Sequence, residues 1–250
     1  MNLLPVYLLA GSGERLRPLT DTAPKALITI HDRPILSRSV DFLLENGLRQ
    51  FVVVTGYLSD MVHGFFAEDY PGVEVLFVHN DRYRETNNAY SLWLARDAFA
   101  DRGMLLLDGD ILFEREIAAM MTTGPETGNR LAVRRSDTLG WEEIKVVLDD
   151  HGNVARIGKE LEPLKSFGES IGIARFDPGG VRDLFMALDR RMVNAGGENE
   201  FYEASFQQMI DSGTTIGVVD TLHYRCIEID TPDDLATAER DVARYVDGRE

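Results

Sequence analysis

Short apolar runs alternate with helical patterns through the first half of the chain, and this alternation restricts the fold more than any other feature. The runs are too short for helices and end at turn residues, so each predicts a buried strand. They lie at 6–10, 50–55, 73–78 and 104–107. Between them, 35–46 and 88–99 carry apolar side chains at helical spacing, and Gly47 stands where a helix C-cap belongs. Such units form right-handed crossovers, so we predict a three-layer α/β fold with a mostly parallel sheet flanked by helices.

After about Arg130 the pattern changes to shorter strands joined by turns. The run DDHGN at 149–153 is a hairpin signal, which predicts a small antiparallel excursion from the main sheet. Thr231, followed by Pro232 and two acids, predicts the start of a helix that runs to about Tyr245. The other predicted strands are 130–135, 144–148, 154–157, 168–176, 215–220 and 225–229, and the other predicted helices are 181–193 and 202–212. No linker pattern interrupts the 250 residues, so one domain is expected.

Composition excludes several classes of function. Lys and Arg number 26 against 42 Asp and Glu, and this formal charge of −16 disfavours nucleic acid as a partner. A single cysteine, Cys226, excludes an intrachain disulfide and fits a reducing compartment. The longest apolar runs are far below the roughly 18–20 residues that span a bilayer, so no membrane insertion is expected. Residues 1–10 predict a core strand and no signal peptide, which makes a cytoplasmic location the expectation.

The segment 8–27, LLAGSGERLRPLTDTAPKAL, places a glycine-rich turn directly after the first predicted strand. Gly11 and Gly13 would let backbone N–H groups approach an anion closely, and Arg15 and Lys25 add positive charge, which together indicate phosphate binding. The chain lacks a P-loop, and Leu16 stands where a dinucleotide fingerprint needs its third glycine. A Gly-x-Gly turn by itself is equally typical of any sharp turn.

As a whole, the string L-A-G-x-G-x-R-L-x-P-L-T-x-x-x-P-K resembles the N-terminal signature of the sugar-phosphate nucleotidyltransferase superfamily. The resemblance implies a Rossmann-like fold whose glycine loop wraps a nucleoside triphosphate. It gives Arg15 and Lys25 the catalytic role of neutralising charge in the transition state at the α-phosphorus. It gives nucleotide binding to Leu9, Ala10, Gly11, Ser12, Gly13 and Glu14. It also implies a nucleotide-binding half at 1–130, an acceptor-binding part at 131–204 and a return to the core at 205–250.

Asp108-Gly109-Asp110 follows the predicted strand at 104–107, at the carboxyl end of the sheet where open α/β sheets bind ligands. The resemblance implies that Asp110 and Asp230 bind Mg²⁺, a hard cation that prefers carboxylate oxygens, and that Asp108 supports the ion or contacts the ribose. We expect Asp230 to reach Asp110 because each would follow a strand at the same edge of a parallel sheet. Strand alternation puts Glu228 on the same side as Asp230. The alternatives are a simple turn at 108–110 and a helix-capping role for Asp230.

The segment Thr86–Leu92, TNNAYSL, opens a predicted helix with two side-chain amides, a group whose donors and acceptor can read a base edge. It resembles the N-N-x-Y-S stretch of phosphocholine cytidylyltransferases and their phosphonate-using relatives. The resemblance implies nucleotide contacts from Thr86, Asn87, Asn88 and Ser91. Helix capping by Asn87 or Asn88 is the alternative interpretation.

Segments between 141 and 204 resemble small-headgroup cytidylyltransferases, which act on phosphocholine, aminoethylphosphonate or inositol 1-phosphate. Two kinds of acceptor site remain open. Trp141 with Glu142, or Tyr202 with Glu203, would enclose an ammonium group. Lys145 or Lys159 would instead bind an anionic acceptor. The predicted acceptor residues are Trp141, Glu142, Lys145, Lys159, Glu169, Tyr202, Glu203 and Glu228, although aromatic residues near 202 at helical spacing are also typical of a core.

No Ser/His/Asp or Cys/His set is visible, and the 5 histidines lack metal-ligand spacing. This suits a reaction whose nucleophile is an oxygen of the substrate itself. The resemblance implies Mg²⁺-dependent transfer of CMP from CTP to a small phosphorylated alcohol or a phosphonate, with release of pyrophosphate. The alternatives are a hexose 1-phosphate nucleotidyltransferase using UTP, dTTP or GTP, and a non-catalytic nucleotide-binding regulatory subunit. The sequence leaves the acceptor and the oligomeric state undetermined.

Overall fold

A central nine-stranded sheet organises the protein, whose computed structural model describes residues 3–124, 127–136, 138–193 and 196–248. The strands are β1 Leu3–Leu9, β2 Thr29–Ile30, β3 Arg33–Pro34, β4 Gln50–Thr55, β5 Glu74–His79, β6 Gly103–Asp108, β7 Ile111–Phe113, β8 Asn129–Arg135, β9 Lys145–Leu148, β10 Val154–Gly158, β11 Gly168–Phe176, β12 Ile216–Asp220 and β13 Cys226–Glu228. The helices are α1 Ile35–Glu45, α2 Ser59–Asp69, α3 Asn88–Leu94, α4 Arg115–Thr122, α5 Pro178–Val193, α6 Glu203–Asp211, α7 Pro232–Thr237 and α8 Ala243–Val246, and a π-helical turn at Ala238–Val242 joins the last two. Among these helices, none has the length and apolar character needed to cross a bilayer.

The sheet is parallel around β1. Strand β1 pairs in parallel with β4 on one side and with β6 on the other, and β5 extends the parallel part beyond β4. The strand order therefore reverses at β1. In open α/β sheets the crevice beyond such a reversal point is where ligands bind. The end of β1 at Leu9 and the end of β6 at Asp108 lie at this crevice.

Alternate residues of the central strands enter two separate cores, one on each face of the sheet. In β4, Phe51 and Val53 belong to one core, whereas Val52 and Val54 belong to the other. Helices α1 and α2 pack on the first face, and helices α3, α5 and α6 cover the second. Continuous apolar runs are required because each strand is buried on both sides. The predicted three-layer α/β architecture is confirmed.

The antiparallel excursion is also present. Strand β11 runs antiparallel to β6 and also pairs with β8 and β9, and β9 forms a hairpin with β10 across the predicted turn at 149–153. The sequence patterns did not predict helices α2 and α4. Gly64 lies in the middle of α2 and weakens its helical signal, and α4 has only 8 residues.

The predicted position of the strand before Asp230 is wrong. Strand β13 does not join the parallel sheet; it pairs antiparallel with β7, with Glu228 opposite Ile111. The backbone N–H of Ile229 also donates to the carbonyl of Asp110 at 3.0 Å. A separate two-stranded ribbon therefore brings residue 230 to residue 110, because β7 begins immediately after the loop that carries Asp110.

A buried ion pair fastens the end of the chain to helix α1. Arg38 is 1% exposed, and its guanidinium donates to both carboxylate oxygens of Asp247, at 2.7 and 3.0 Å. It also donates to the backbone carbonyls of Ile30 and Arg33 at 2.8 Å. The segment after β13 is therefore held against the first half of the fold by a fully hydrogen-bonded charge.

We predict that Asp247→Ala lowers the free energy of unfolding by about 3 kcal/mol, because it leaves the Arg38 charge buried without its partner. Urea denaturation measures the change. The matched control is Asp97→Ala, which removes an aspartate that is 92% exposed and lies 3.9 Å from Arg96, and should change stability by less than about 0.5 kcal/mol. Equal effects of the two substitutions would contradict the role given to Arg38 and Asp247.

Candidate active site

The glycine-rich loop begins where β1 ends and turns back over the crevice. Gly13 has a left-handed backbone with φ of +62°, and a Cβ atom there would lie 2.9 Å from the Thr20 side chain and 3.2 Å from Cβ of Lys25. The Thr20 hydroxyl donates to the carbonyl of Gly13 at 2.8 Å. Both the backbone conformation and the close packing therefore require glycine at position 13. This turn sets the position of Lys25 beside the loop.

The loop after β6 lies next to the glycine-rich loop because β1 and β6 are neighbours, with Leu8 opposite Asp108. A Cβ atom at Gly109 would lie 2.0 Å from Cδ2 of Leu9, so no larger residue fits between the two loops. Asp108 is hydrogen-bonded by the Tyr202 hydroxyl at 2.7 Å. Burial, with the charges of Asp110 and Glu203, raises the pKa of Asp108 well above its usual range.

Asp230 follows β13 and precedes α7, where a capping box fixes the backbone. The Thr231 hydroxyl accepts from the N–H of Asp234, and the Asp234 carboxylate accepts from the N–H of Thr231 at 2.7 Å. Thr231 thus caps the helix, as its sequence context predicts, and the Asp230 side chain is left to face the crevice. Its carboxylate contacts Lys25 and Arg15 there.

Three carboxylates meet at this point. One oxygen from each of Asp110, Glu228 and Asp230 lies within 4.8 Å of the others. The Lys25 ammonium, 14% exposed, donates to Asp110 at 2.5 Å and also to Asp230, and Arg15 donates to Asp230 at 2.5 Å. Partial burial opposes the charged form of Lys25, but the two aspartates raise its pKa. Partial burial likewise disfavours the Asp230 carboxylate, yet Lys25 and Arg15 lower the pKa of Asp230.

Glu228 lacks such a partner among the described basic residues. The residue is exposed on one side, but protein atoms along the crevice desolvate its carboxyl group. This desolvation, together with the charges of Asp110 and Asp230, raises the pKa of Glu228 to about 8. The Glu228 carboxyl group therefore ionises less readily than that of Asp230, which faces Lys25 and Arg15.

The cluster fits a divalent cation. Among the described residues, Asp110 Oδ1 is buried without a hydrogen-bond partner, so one lone pair is free for a metal ion. Carboxylate oxygens are the ligands that Mg²⁺ prefers, with water and phosphate oxygens completing the octahedron. Asp110 and Asp230, with Glu228 beside them, are the residues that could hold the ion. In the structure, the Lys25 ammonium supplies the positive charge between Asp110 and Asp230.

A first cavity of about 500 Å³ extends from this cluster along the ends of β1 and β6. It brings together both predicted catalytic residues and nearly all predicted nucleotide contacts, whereas Ser12 is outside its lining. The predicted residues that line it are Leu9, Ala10, Gly11, Gly13, Glu14, Arg15, Lys25, Thr86, Asn87, Asn88, Ser91, Asp108, Asp110, Glu228 and Asp230. Tyr83 also lines this cavity and carried no sequence signal of a site.

The loop before α3 is built around Asn80, a fully buried residue that the sequence patterns did not identify. Its amide nitrogen donates to the hydroxyls of Thr86 and Ser91 at 3.1 and 3.0 Å. Asn87 Oδ1 accepts from the N–H of Asn88 at 2.8 Å and caps α3, and Asn88 Oδ1 accepts from the N–H of Tyr202 at 2.9 Å. The side-chain oxygens of Asn87 and Asn88 therefore both have a structural role, because each accepts a hydrogen bond from the backbone.

A second cavity of about 520 Å³ adjoins the first. Of the predicted acceptor residues, Glu142, Lys159, Glu169, Glu203 and Glu228 line it. Its floor includes Gly172 of β11, whose φ of +69° marks an irregularity in the pairing with β8, and whose Cβ would lie 2.6 Å from Asp108 Oδ2. Arg134, Glu143 and Phe201 also line the cavity, although none of them was among the predicted acceptor residues.

Three predicted acceptor residues lie outside this lining. Trp141 is 66% exposed, and Lys145 is fully buried with its ammonium directed at the carbonyls of Trp141 and Glu143 at 3.2 and 2.9 Å. Tyr202 is buried beneath the crevice, where its hydroxyl holds Asp108. Trp141 and Lys145 are thus not brought to the cavity, and Tyr202 contacts the site through Asp108.

The basic side chains that line the second cavity are all paired in the part of the chain that the structure describes. Arg134 pairs with Glu169, Lys159 lies 3.6 Å from Glu142, and Arg15 pairs with Asp230. Glu143 Oε2 and Glu203 Oε2 are buried without hydrogen-bond partners. Unsatisfied buried carboxylate oxygens are costly, so the cavity favours a ligand that brings hydrogen-bond donors or positive charge.

Comparisons of this chain with known proteins agree on one family. A family model described as Nucleotidyl transferase matches residues 4–136. A 2-aminoethylphosphonate cytidylyltransferase of Lancefieldella rimae is 30% identical over 199 residues, which cover 79% of this chain and 76% of that protein. A UTP–glucose-1-phosphate uridylyltransferase of Haloferax volcanii is 28% identical over 239 residues, 94% of each chain.

Other matches are partial in sequence or restricted to the fold. A choline-phosphate cytidylyltransferase of Haemophilus influenzae is 33% identical over 152 residues, and the alignment spans only 60% of that relative and 61% of this chain. The solved structure of a CTP:phosphocholine cytidylyltransferase from Streptococcus pneumoniae superposes with a TM-score of 0.79 over 96% of this chain and 98% of that chain. At 23% identity, this likeness is one of fold.

We predict that Lys25→Met increases the affinity of the ligand-free protein for Mn²⁺ by about 10- to 100-fold, because the ammonium no longer competes for Asp110 and Asp230. Electron paramagnetic resonance of free Mn²⁺ measures the binding. Lys165→Met is the matched control, since Lys165 is 76% exposed and pairs with Glu162 on the surface. Equal Mn²⁺ affinity of the wild type and the Lys25 variant would contradict the competition.

Proposed function

Because the chain belongs to the nucleotidyl transferase family, we propose that it transfers CMP from CTP to a small phosphorylated alcohol or a phosphonate. One observation carries the proposal: the two cavities meet at the acidic cluster, and Arg15, Asp108, Glu228 and Asp230 line both. A nucleotide in the first cavity and an acceptor in the second would therefore meet beside the same charges. This arrangement suits transfer between two bound substrates.

In the proposed reaction, an oxygen of the acceptor's phosphate or phosphonate attacks the α-phosphorus of CTP. The new P–O bond forms as the bond to the oxygen that bridges the α- and β-phosphates breaks, and that oxygen leaves with pyrophosphate. The attacking oxygen is already ionised at neutral pH, so no general base is required. Catalysis then depends on positioning and on neutralising charge in the transition state.

Arg15 and Lys25 are the residues proposed to neutralise that charge. Both lie beside Asp230, and the backbone turn at Gly13 packs directly on Lys25. A rigidly held cation stabilises developing charge without reorganising at the moment of reaction. Asp110 and Asp230, with Glu228 beside them, would hold Mg²⁺, which supplies further positive charge to phosphate oxygens when bound.

The second cavity supports an acceptor that carries an ammonium group. Its basic side chains are paired, whereas Glu143 and Glu203 retain buried oxygens without partners among the described residues. A second anion would face this excess of carboxylates, while an ammonium group would supply the missing donors. Of the two kinds of acceptor that the sequence leaves open, the cationic one is proposed.

A hexose 1-phosphate acceptor with UTP is the competing proposal, favoured by the Haloferax volcanii relative that aligns over 94% of each chain. A sugar would satisfy carboxylates through its hydroxyl groups but would bring no positive charge. A non-catalytic nucleotide-binding role is less well supported, because Arg15, Lys25, Asp110 and Asp230 converge in one cluster. A binding protein has no need of that complete set.

Pyrophosphate release from CTP, UTP, dTTP and GTP tests the proposal, with each nucleotide paired in turn with each acceptor. The acceptor panel contains phosphocholine, 2-aminoethylphosphonate, inositol 1-phosphate and glucose 1-phosphate. We expect turnover with CTP and an ammonium-bearing acceptor. Turnover of glucose 1-phosphate with UTP or dTTP, and of no small acceptor with CTP, would replace the proposal by its competitor.

We predict that Glu203 gives acceptor binding a pH dependence. Burial raises the pKa of Glu203 to about 7, so the carboxyl group is mostly neutral at pH 6 and mostly ionised at pH 8. The KM of an ammonium-bearing acceptor should therefore fall by up to about tenfold over this range. Steady-state kinetics with saturating CTP measure it.

Glu203→Gln is the reference, because the phosphate of the acceptor titrates in the same range. The difference between the wild-type and variant profiles isolates the Glu203 contribution, and the KM of CTP should not change. Identical profiles for the two proteins would show that Glu203 does not bind the acceptor's cation.

A further inference from the structure

Tyr57, which lies between β4 and α2, contacts both ends of the glycine-rich loop. Its backbone N–H donates to the carbonyl of Ala10 at 3.1 Å, where the loop leaves β1. Its side-chain hydroxyl donates to the carbonyl of Thr20 at 2.8 Å, where the loop returns. A single residue therefore fixes the two ends of the segment 10–20 relative to each other.

Thr20 connects this contact to the turn at Gly13. The Thr20 hydroxyl donates to the carbonyl of Gly13 at 2.8 Å, and a Cβ atom at position 13 would lie 2.9 Å from the Thr20 side chain. The Lys25 side chain packs on the same glycine, and Arg15 follows it two residues along the chain. The hydrogen bonds of Tyr57 and Thr20 therefore form a series that ends at the turn beside both cations.

The loop has little support from buried side chains. Between positions 11 and 20, Leu16 and Thr20 are buried, and the other residues are exposed or half-buried. The Arg15 side chain is 65% exposed. A segment with few buried contacts opens easily, so its conformation depends on the hydrogen bonds that join it to the rest of the protein.

The backbone on both sides of Tyr57 is shaped for these contacts. A Cβ atom at Gly56 would lie 2.8 Å from the carbonyl oxygen of Ala10, so only glycine allows the chain to approach the end of β1 this closely. Leu58 has a φ of +47°, a left-handed conformation that leucine rarely adopts. Such a conformation persists only where the surrounding structure enforces it, and it is common near functional sites.

We propose that Tyr57 is a positioning residue that holds the glycine-rich loop in the conformation that binds the phosphates of the nucleotide. Tyr57 lies outside the lining of both cavities, so it acts through Thr20 and Gly13. A loop that is already in its binding conformation loses less conformational freedom when the ligand binds. The proposal rests on the proposed function in one respect, since it assumes that nucleotide phosphates bind at this loop.

Tyr57→Phe tests the proposal because it removes the hydroxyl and keeps the ring, whose centre lies 6.1 Å from that of the Tyr83 ring. Tyr70→Phe is the matched control. The Tyr70 hydroxyl donates to the carbonyl of Ser37 at 3.0 Å, an equivalent bond just beyond the other end of α2. Each substitution removes a tyrosine hydroxyl that donates to a backbone carbonyl, but only the first removes a bond to the loop.

The first measurement is hydrogen exchange of the ligand-free protein, followed by mass spectrometry. We expect the peptide that covers residues 11–20 to exchange about 3- to 10-fold faster in Tyr57→Phe than in the wild type, the range for loss of one hydrogen bond. In Tyr70→Phe this peptide should exchange at the wild-type rate. This measurement requires neither a nucleotide nor an acceptor.

The second measurement is steady-state kinetics. We expect kcat/KM for the nucleotide to fall by about 3- to 10-fold in Tyr57→Phe, because the loop must now be ordered when the phosphates bind. The KM of the acceptor at saturating nucleotide should not change. Tyr70→Phe should leave both values unchanged. A general loss of stability would not separate the two substrates in this way.

Thr20→Val provides a second variant, since it removes the next hydrogen bond in the series and keeps the shape of the side chain. If Tyr57 acts through Thr20, the two substitutions are coupled, and the double variant should lose about as much kcat/KM for the nucleotide as the more affected single variant. Losses that multiply in the double variant would show two independent bonds and would overturn the proposed series.

Failure of this proposal is distinguishable from failure of the proposed function. Unchanged exchange of the loop in Tyr57→Phe, or equal kinetic effects of Tyr57→Phe and Tyr70→Phe, would overturn the role of Tyr57 and leave wild-type turnover of CTP intact. A wild-type protein that uses UTP with glucose 1-phosphate instead would overturn the proposed function, and the same variants would then test Tyr57 with that pair of substrates.

Discussion

The attraction of Lys25 for two aspartates is the interaction on which the site depends. Asp110, Glu228 and Asp230 each bring a carboxylate oxygen within 4.8 Å of the others, and two aspartates this close both stay ionised only where cations lie among them. Lys25 follows the glycine-rich loop, Asp110 follows β6 and Asp230 follows β13. Their ion pairs therefore join three distant parts of the chain at the crevice. The Arg38–Asp247 pair adds a further connection, since it holds the segment after β13 against α1.

Much of this arrangement was predictable from short sequence patterns, because buried strands and helix caps are determined by residues that are neighbours in sequence. The apolar runs at 50–55 and 104–107 form the buried strands that their lengths predict, and Thr231 caps its helix as the sequence Thr-Pro-Asp-Asp indicates. Residues near the glycine-rich loop could be assigned to one crevice, since parallel strands end at a common edge. The family resemblance and its fold are confirmed by the comparisons.

What was not predictable depends on tertiary contacts that no short pattern contains. Asp230 reaches Asp110 through the antiparallel ribbon of β7 and β13, and three residues of β13 give no signal of their partner. The sequence does not distinguish Lys145 from a surface lysine. In the structure the residue is buried, and its ammonium donates to two backbone carbonyls. Phe201 lines both cavities and Trp141 lines neither, although both are aromatic residues in the same part of the chain. The direction in which a side chain points is set by packing across the sheet.

The left-handed turn at Gly172 has a consequence for how this protein can diversify. The turn lies against Asp108, which lines both cavities, so a side chain at position 172 would displace the Asp108 carboxylate. Glu142 and Glu143 line the second cavity and not the first. Changes there could adapt the site to another acceptor without disturbing the residues that both substrates would contact. Specificity for the proposed acceptor can therefore change while the residues that line both cavities stay the same.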